Sequence, residues 1–154
     1  MDDYTVRLHF TVPAPSVIPA LSFFWTGHAP KHYLKKFHIK YNAKANELAK
    51  KNGFEAWYEY FQEKRRRWAT VPLSVGLPTL HAFKLVEKGP DYLLYERNPY
   101  YWKVDTEGNQ LPYIDKILVR IVENIEIYNG KIMSGEADFA MRQTTFVNYT
   151  LYKE

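Results

Sequence analysis

Cysteine is absent from the 154 residues, which removes a thiol nucleophile and leaves the redox compartment open. No apolar run is long enough to cross a bilayer as a helix, and the first residues lack the charged, apolar and small-residue succession of an export leader. Also missing are a Gly-x-Ser-x-Gly elbow, a phosphate-cradling glycine-rich loop and a His-Glu-x-x-His pair. Carboxylates are present, but on expected helical surfaces or beside turns. Glu123 and Glu126, three apart, stand where acids ordinarily do at a helix start, because the dipole favours them there. The expectation is a protein that is not an enzyme and uses no cofactor.

What is present belongs to a folded chain. Hydrophobic residues make up 46% of the sequence, ordinary for a globular protein with a real core, and nothing suggests disorder. The net charge of +4 permits an acidic partner without demanding one.

The most informative stretch runs from Leu94 to Glu136. A strand through Tyr95 must turn at Asn98-Pro99, because proline restricts the residue before it and cannot donate to a ladder; Tyr100, Tyr101 and Trp102 follow the corner. Asp105 to Asn109 is a polar loop with Gly108 at its tip. The alternation from Ile117 to Val122 then predicts a mostly buried strand. Asn124 is placed to cap a helix with Ile125, Tyr128 and Ile132 on one face, and Gly135 is placed to end it.

Upstream, Tyr4, Val6, Leu8, Phe10 and Val12 alternate with polar residues, which predicts a strand that stops at Pro13. A short helix is expected over Val17 to Phe24, among prolines. Another is expected from Pro30, with Tyr33, Leu34 and Phe37 on its face. His28 and His32 are four apart, but Pro30 lies between them and a third ligand is missing, so no metal site is expected. Residues 43–68 read as two helices, the first with Asn42 as cap and Gly53 as stop. The second carries Phe54, Trp57, Tyr58 and Phe61 on one face and Lys64 to Arg67 in its last turn. Such a basic run beside aromatics admits a stand-alone module for nucleic acid or another acidic partner. Cations are also favoured at a helix C-terminus by about 0.3–1 kcal/mol each without any ligand, so no nucleic acid is expected. Strands over Ala82 to Val86 and Tyr92 to Tyr95, joined through Lys88 to Asp91, complete a hairpin. The sum is an α/β (α+β) chain, a mixed sheet flanked by helices.

The runs ERNPYYW, LPYIDKILVRI and SGEADF, in that order, resemble the family 5 extracellular solute-binding proteins, receptors of oligopeptide-type ABC importers. DDYTVRLHF, APKHYLKKFH, LPTLHAFKLV and RQTTFVNYTLYKE extend the resemblance over most of the chain. His81-Ala82 departs from the Gly-Pro of many relatives. The resemblance implies part of one lobe of a type II periplasmic-binding-protein-like fold: residues 1–154 as a single partial domain of the lobe carrying the N-terminus, with a helical insert at about 43–68 and a lobe-crossing segment from about 137. It implies an exported, extracytoplasmic receptor, periplasmic or membrane-anchored, within which these residues begin. The receptor would take an oligopeptide or oligosaccharide into an interlobe cleft and deliver it to an ABC permease. Phe139, Met141, Arg142 and Gln143, just past SGEAD, are then the foremost cleft residues, followed by Trp25, His28, Thr79 and His81. Arg142 suits a carboxylate, by a bidentate grip, or a ring face. The same reading expects self-association of the isolated fragment, with Tyr149, Leu151 and Tyr152 docking elsewhere.

Overall fold

The computed structural model describes residues 2, 5–17, 19, 29–68, 71–140, 149–150 and 152. Contacts divide the chain into two compact units, Met1–His81 and Ala82–Glu154. In the first, α1 (Lys31–Leu34) runs into a 3-10 turn, Lys35–Phe37; α2 (Ala45–Lys51) and α3 (Trp57–Lys64) follow, then a short antiparallel pair, β1 (Arg67–Trp68) and β2 (Val71–Pro72). The second holds an antiparallel sheet ordered β3 (Phe83–Lys88), β4 (Tyr92–Arg97), β5 (Lys116–Arg120), and then α4 (Ile125–Met133).

Around α2 and α3 the local causes are explicit. Asn52 caps α2 and Gly53 takes a φ of 83°, so that the Phe54 N–H returns to the Ala49 carbonyl at 3.1 Å. Ala45 and Ala49 are buried, and their small size lets neighbouring elements approach closely. Asn46 Oδ1 accepts the Trp57 N–H at 3.0 Å, and Glu59 reaches back to the Glu55 N–H at 3.1 Å, so two donors at the start of α3 are met by side chains. Helix α3 ends at Lys64, earlier than its basic run suggests. Arg66 instead pairs with Glu63 at 3.3 Å, Arg67 opens β1, and the Lys64 ammonium lies over the rings of Phe37 and Tyr60. The core here is Leu34, Ala45, Ala49, Tyr60, Pro72 and Leu77.

In the second unit the hairpin forms as its sequence predicts. Gly89 leaves room at the turn for the Tyr92 ring, which a Cβ there would meet at 2.2 Å and displace. Val86 is an extra residue in the register between Leu85 and Glu87, a bulge that adds local twist. Leu85, Tyr95 and Asn98 form the buried centre. Asn98 earns its burial by bonding: its N–H donates to the Ala82 carbonyl at 2.8 Å, and its Oδ1 accepts from the Tyr100 N–H at 3.1 Å.

Two expectations are corrected. The strand expected over Tyr4 to Val12 does not form among its described residues: Val6 is 84% and Val12 68% exposed, and no described strand pairs with them. Alternation creates an apolar face, but a strand also needs a neighbour for its backbone groups. Strand β5 does pair, with β4, but it is not mostly buried, because no described element covers its side chains. It lies at the edge of the described sheet, leaving Leu118 and Ile121 about half exposed. The helix expected over Val17 to Phe24 falls mostly outside the described residues.

Candidate ligand-binding site

The described candidates sit on one loop of the first unit and one chain exit of the second. The loop leaves the buried Leu77, and Thr79 Oγ1 accepts the His81 N–H at 3.1 Å. A hydroxyl that bonds the backbone two residues on makes a self-contained turn and fixes its own direction. Leu80 is therefore pushed outward while Thr79 and His81 stay half-buried.

The exit follows α4, which begins with Asn124 Oδ1 accepting the Ile127 N–H at 2.9 Å. At the other end Gly135 has a φ of 71°, and Glu136 returns its N–H to the Lys131 carbonyl at 3.1 Å. Lys131 Nζ meets Glu136 Oε2 at 2.6 Å, and Ser134 Oγ lies 3.3 Å from Glu136 Oε1. The Lys131 hydrogen bond first, then its charge and Ser134, hold the Glu136 carboxyl below the usual range. The Ser-Gly-Glu of the SGEAD run is thus a helix stop that aims the departing chain. Phe139, on that departing chain, is 80% exposed.

Thr79 and His81 are brought together, and Phe139 stands in the other unit. Met141, Arg142, Gln143, Trp25 and His28 lie outside the described residues. Among the described residues no group of three or more His, Cys, Asp or Glu is placed to hold a metal ion.

Sequence reasoning missed the organisation of the Asn98 corner. Gln110 Nε2 donates to the carbonyls of Pro99 and Tyr101 at 2.8 and 2.7 Å, stapling the corner to the far side of the polar loop. Outside that staple, Tyr100, Trp102 and Tyr113 are more than two-thirds exposed, with Lys103 Nζ 5.2 Å from the Trp102 ring. Chemically, such rings present flat faces with polar edges. The only sequence signal was the presence of Asn and Gln at two loop ends.

Residues 1–153 match the family described as bacterial extracellular solute-binding proteins, family 5 Middle. Over 120 residues, 76% of this chain and 15% of the relative, the sequence is 36% identical to the periplasmic alpha-galactoside-binding protein of Rhizobium meliloti strain 1021. The solved structure of an oligopeptide-binding protein OppA aligns with a TM-score of 0.81 at 34% identity, over 99% of this chain and 25% of that one. The periplasmic binding protein MelB of Agrobacterium fabrum C58, solved with stachyose, is 30% identical over 73% of this chain and 14% of its own, with a TM-score of 0.49. The chain therefore spans a quarter or less of the length of each relative. The likeness to OppA makes its combination of helices and antiparallel sheet that of a type II periplasmic-binding-protein fold.

Proposed function

Because this chain belongs to the bacterial extracellular solute-binding proteins of family 5, we propose that it is part of the extracytoplasmic receptor of an ABC importer, and that its role is binding rather than catalysis. The observation that carries this reading is the family match over residues 1–153. In it the 154 residues form part of the lobe bearing the N-terminus, with the helical insert at about 43–68, and the chain crosses to the other lobe from about residue 137. Ligand is held between lobes, hinge closure excludes water, and the closed form is what the permease recognises.

The cargo is an oligopeptide or an oligosaccharide. One relative is named for alpha-galactosides and another for oligopeptides, at 36% and 34% identity. Phe139, Met141, Arg142 and Gln143 are the proposed contacts on this chain, supported by the exposure of Phe139 directly after the helix stop. Thr79 and His81 form a second group with Trp25 and His28. Thermal shift of the full-length receptor with separate peptide and alpha-galactoside pools tests the function. One pool should raise the melting temperature in proportion to the logarithm of its concentration above Kd. The Arg142→Ala variant should keep the unliganded melting temperature and lose most of that rise. A receptor that answers neither pool contradicts the reading.

A further inference from the structure

Charge is distributed unevenly along this chain. Residues 31–67 carry eleven lysines and arginines against four glutamates, whereas the remainder carries ten against thirteen aspartates and glutamates. Within that segment one turn brings two of the cations, Lys31 and Lys40, over a single ring. The N–H groups of Tyr41 and Asn42 both donate to the His38 carbonyl, at 2.9 and 3.0 Å, and the Lys40 N–H donates to His38 Nδ1 at 3.1 Å. Asn42 clamps the turn from both sides, its Nδ2 on the Lys36 carbonyl at 2.7 Å and its Oδ1 accepting the Lys44 N–H at 3.0 Å. The Lys31 and Lys40 ammonium groups lie 5.5 and 5.9 Å from the centroid of the Tyr41 ring.

Lys31, Lys36, Lys40 and Lys44 are all exposed, and none is in an ion pair with a described acid. Ile39 and Tyr41 belong to the same turn and are 37% and 52% exposed. Behind the turn the His38 ring packs on Trp57 at 4.5 Å and on Phe61 at 5.2 Å, so the cations are mounted on a packed aromatic base rather than on a free coil.

We propose that this turn docks the protein on an anionic phospholipid bilayer, its four ammonium groups meeting headgroup phosphates while Ile39 and Tyr41 enter the headgroup layer. Amphipathic tyrosine flanked by lysine suits the boundary between water and hydrocarbon, where each side chain has an apolar body and a polar tip. Nucleic acid is a poorer fit, because base stacking needs an open aromatic face and ammonium groups already lie over the Tyr41 ring. A folded acidic protein must match its carboxylates to flexible lysines at fixed spacing, whereas lipid headgroups move laterally to meet them.

Co-sedimentation of the full chain with vesicles tests this. Vesicles of phosphatidylcholine containing a minority of phosphatidylglycerol should bind it at low salt, and vesicles of phosphatidylcholine alone should not. Each neutralised lysine should weaken binding about fivefold, so Lys40→Gln with Lys44→Gln falls about 25-fold, while Lys116→Gln in β5 changes nothing. Added salt should release the protein, because headgroup attraction decays over roughly 8 Å at physiological ionic strength. Tyr41→Ser should weaken the binding that remains. Unchanged thermal melts for these exposed-site variants show that folding is not the cause. Equal binding to both vesicle types, equal loss from Lys116→Gln, or tighter capture of polyglutamate or an oligonucleotide that is indifferent to Tyr41→Ser would each overturn the proposal.

Discussion

Tyr113 donates its hydroxyl to Asp105 Oδ2 at 2.5 Å and so closes the polar loop against the chain that returns to β5. The same carboxylate accepts the N–H groups of Glu107 and Asn109, each at 2.8 Å, and the Asn109 amide at 2.9 Å. Four donors converge on one exposed carboxylate, with Gly108 supplying the φ of 86° that brings Asn109 round.

Those donors stabilise the ionised form, the Tyr113 hydroxyl most and Asn109 next, and lower the Asp105 pKa from 3.8 to about 2. A carboxyl whose folded pKa is depressed contributes order that is present above its unfolded pKa and lost as pH falls through the folded one. The loop should therefore stay closed at neutral pH and open progressively from about pH 4 to about pH 2. Amide resonances of Glu107 and Asn109 followed by NMR should titrate near the lower value and lose their shift in Asp105→Asn. A midpoint near 3.8, the ordinary value, would mean that the four hydrogen bonds do not persist in solution.

The aromatic cluster around α3 yields a second expectation. Tyr60 is 7% exposed, with its ring 5.3 Å from Phe37 and 5.1 Å from Phe54, so Tyr60→Ala empties a packed site and should cost about 3–5 kcal/mol. Trp57 and Phe61, which the spacing puts on one helix face with Phe54, are only half-buried. Their truncation should cost about half as much, since stabilisation scales with apolar area removed from water. Urea unfolding of the three variants ranks them, and a larger loss at Trp57 than at Tyr60 contradicts the packing described.

How far the sequence carried can be judged on these same residues. The hairpin, the Asn98-Pro99 corner and α4 were legible because their causes are local: proline geometry, a glycine at each stop, an asparagine three residues before its N–H partner. Tyr60 was passed over because a helical pattern marks a face without saying which residue lies deepest. That depends on Phe37 and Phe54, which come from other elements. The strand expected over Tyr4 to Val12 failed for the complementary reason, since alternation describes one strand and pairing requires two. Of the candidate site, the helix stop that aims Phe139 was legible as Gly135. The clamps by Gln110 and Asn42 join residues eleven and six positions apart through side chains, which no periodicity reports.

Asn124 supplies a third test. Its Oδ1 satisfies the Ile127 N–H at the start of α4, where Glu126 also complements the dipole. Asn124→Ala should destabilise the helix by about 1 kcal/mol, and Asn124→Asp should restore it. Hydrogen exchange at the first amides of α4 reads this directly. Equal protection in all three proteins would mean that the cap does not hold the helix.

Self-association of the isolated chain is expected, and the sheet offers a contact for it besides the exposed Tyr149. Tyr152 donates its hydroxyl to Asn129 Oδ1 at 2.7 Å, so this terminal tyrosine docks on its own α4; Leu151 lies outside the described residues. Among the described residues β5 is an edge of the sheet, with exposed Leu118 between Lys116 and Arg120. Ile121 and Arg97 donate their N–H groups to the Asp91 and Asp115 carbonyls, and by the alternation of an antiparallel ladder Ile117 and Val119 also face β4. The backbone groups of Lys116, Leu118 and Arg120 are then directed away from the sheet. Leu118 lies at the centre of that edge, 51% exposed. Edges of this kind pair with other chains unless charge interrupts them. The isolated 154-residue chain should therefore associate as its concentration rises, and Leu118→Lys should shift it towards monomer while changing stability by no more than about 0.5 kcal/mol, as expected for an exposed position. Sedimentation equilibrium over a concentration series measures the first effect and urea unfolding the second. If Leu118→Lys associates as strongly as the parent, β5 is not the contact; a parent that is monomeric throughout contradicts self-association itself.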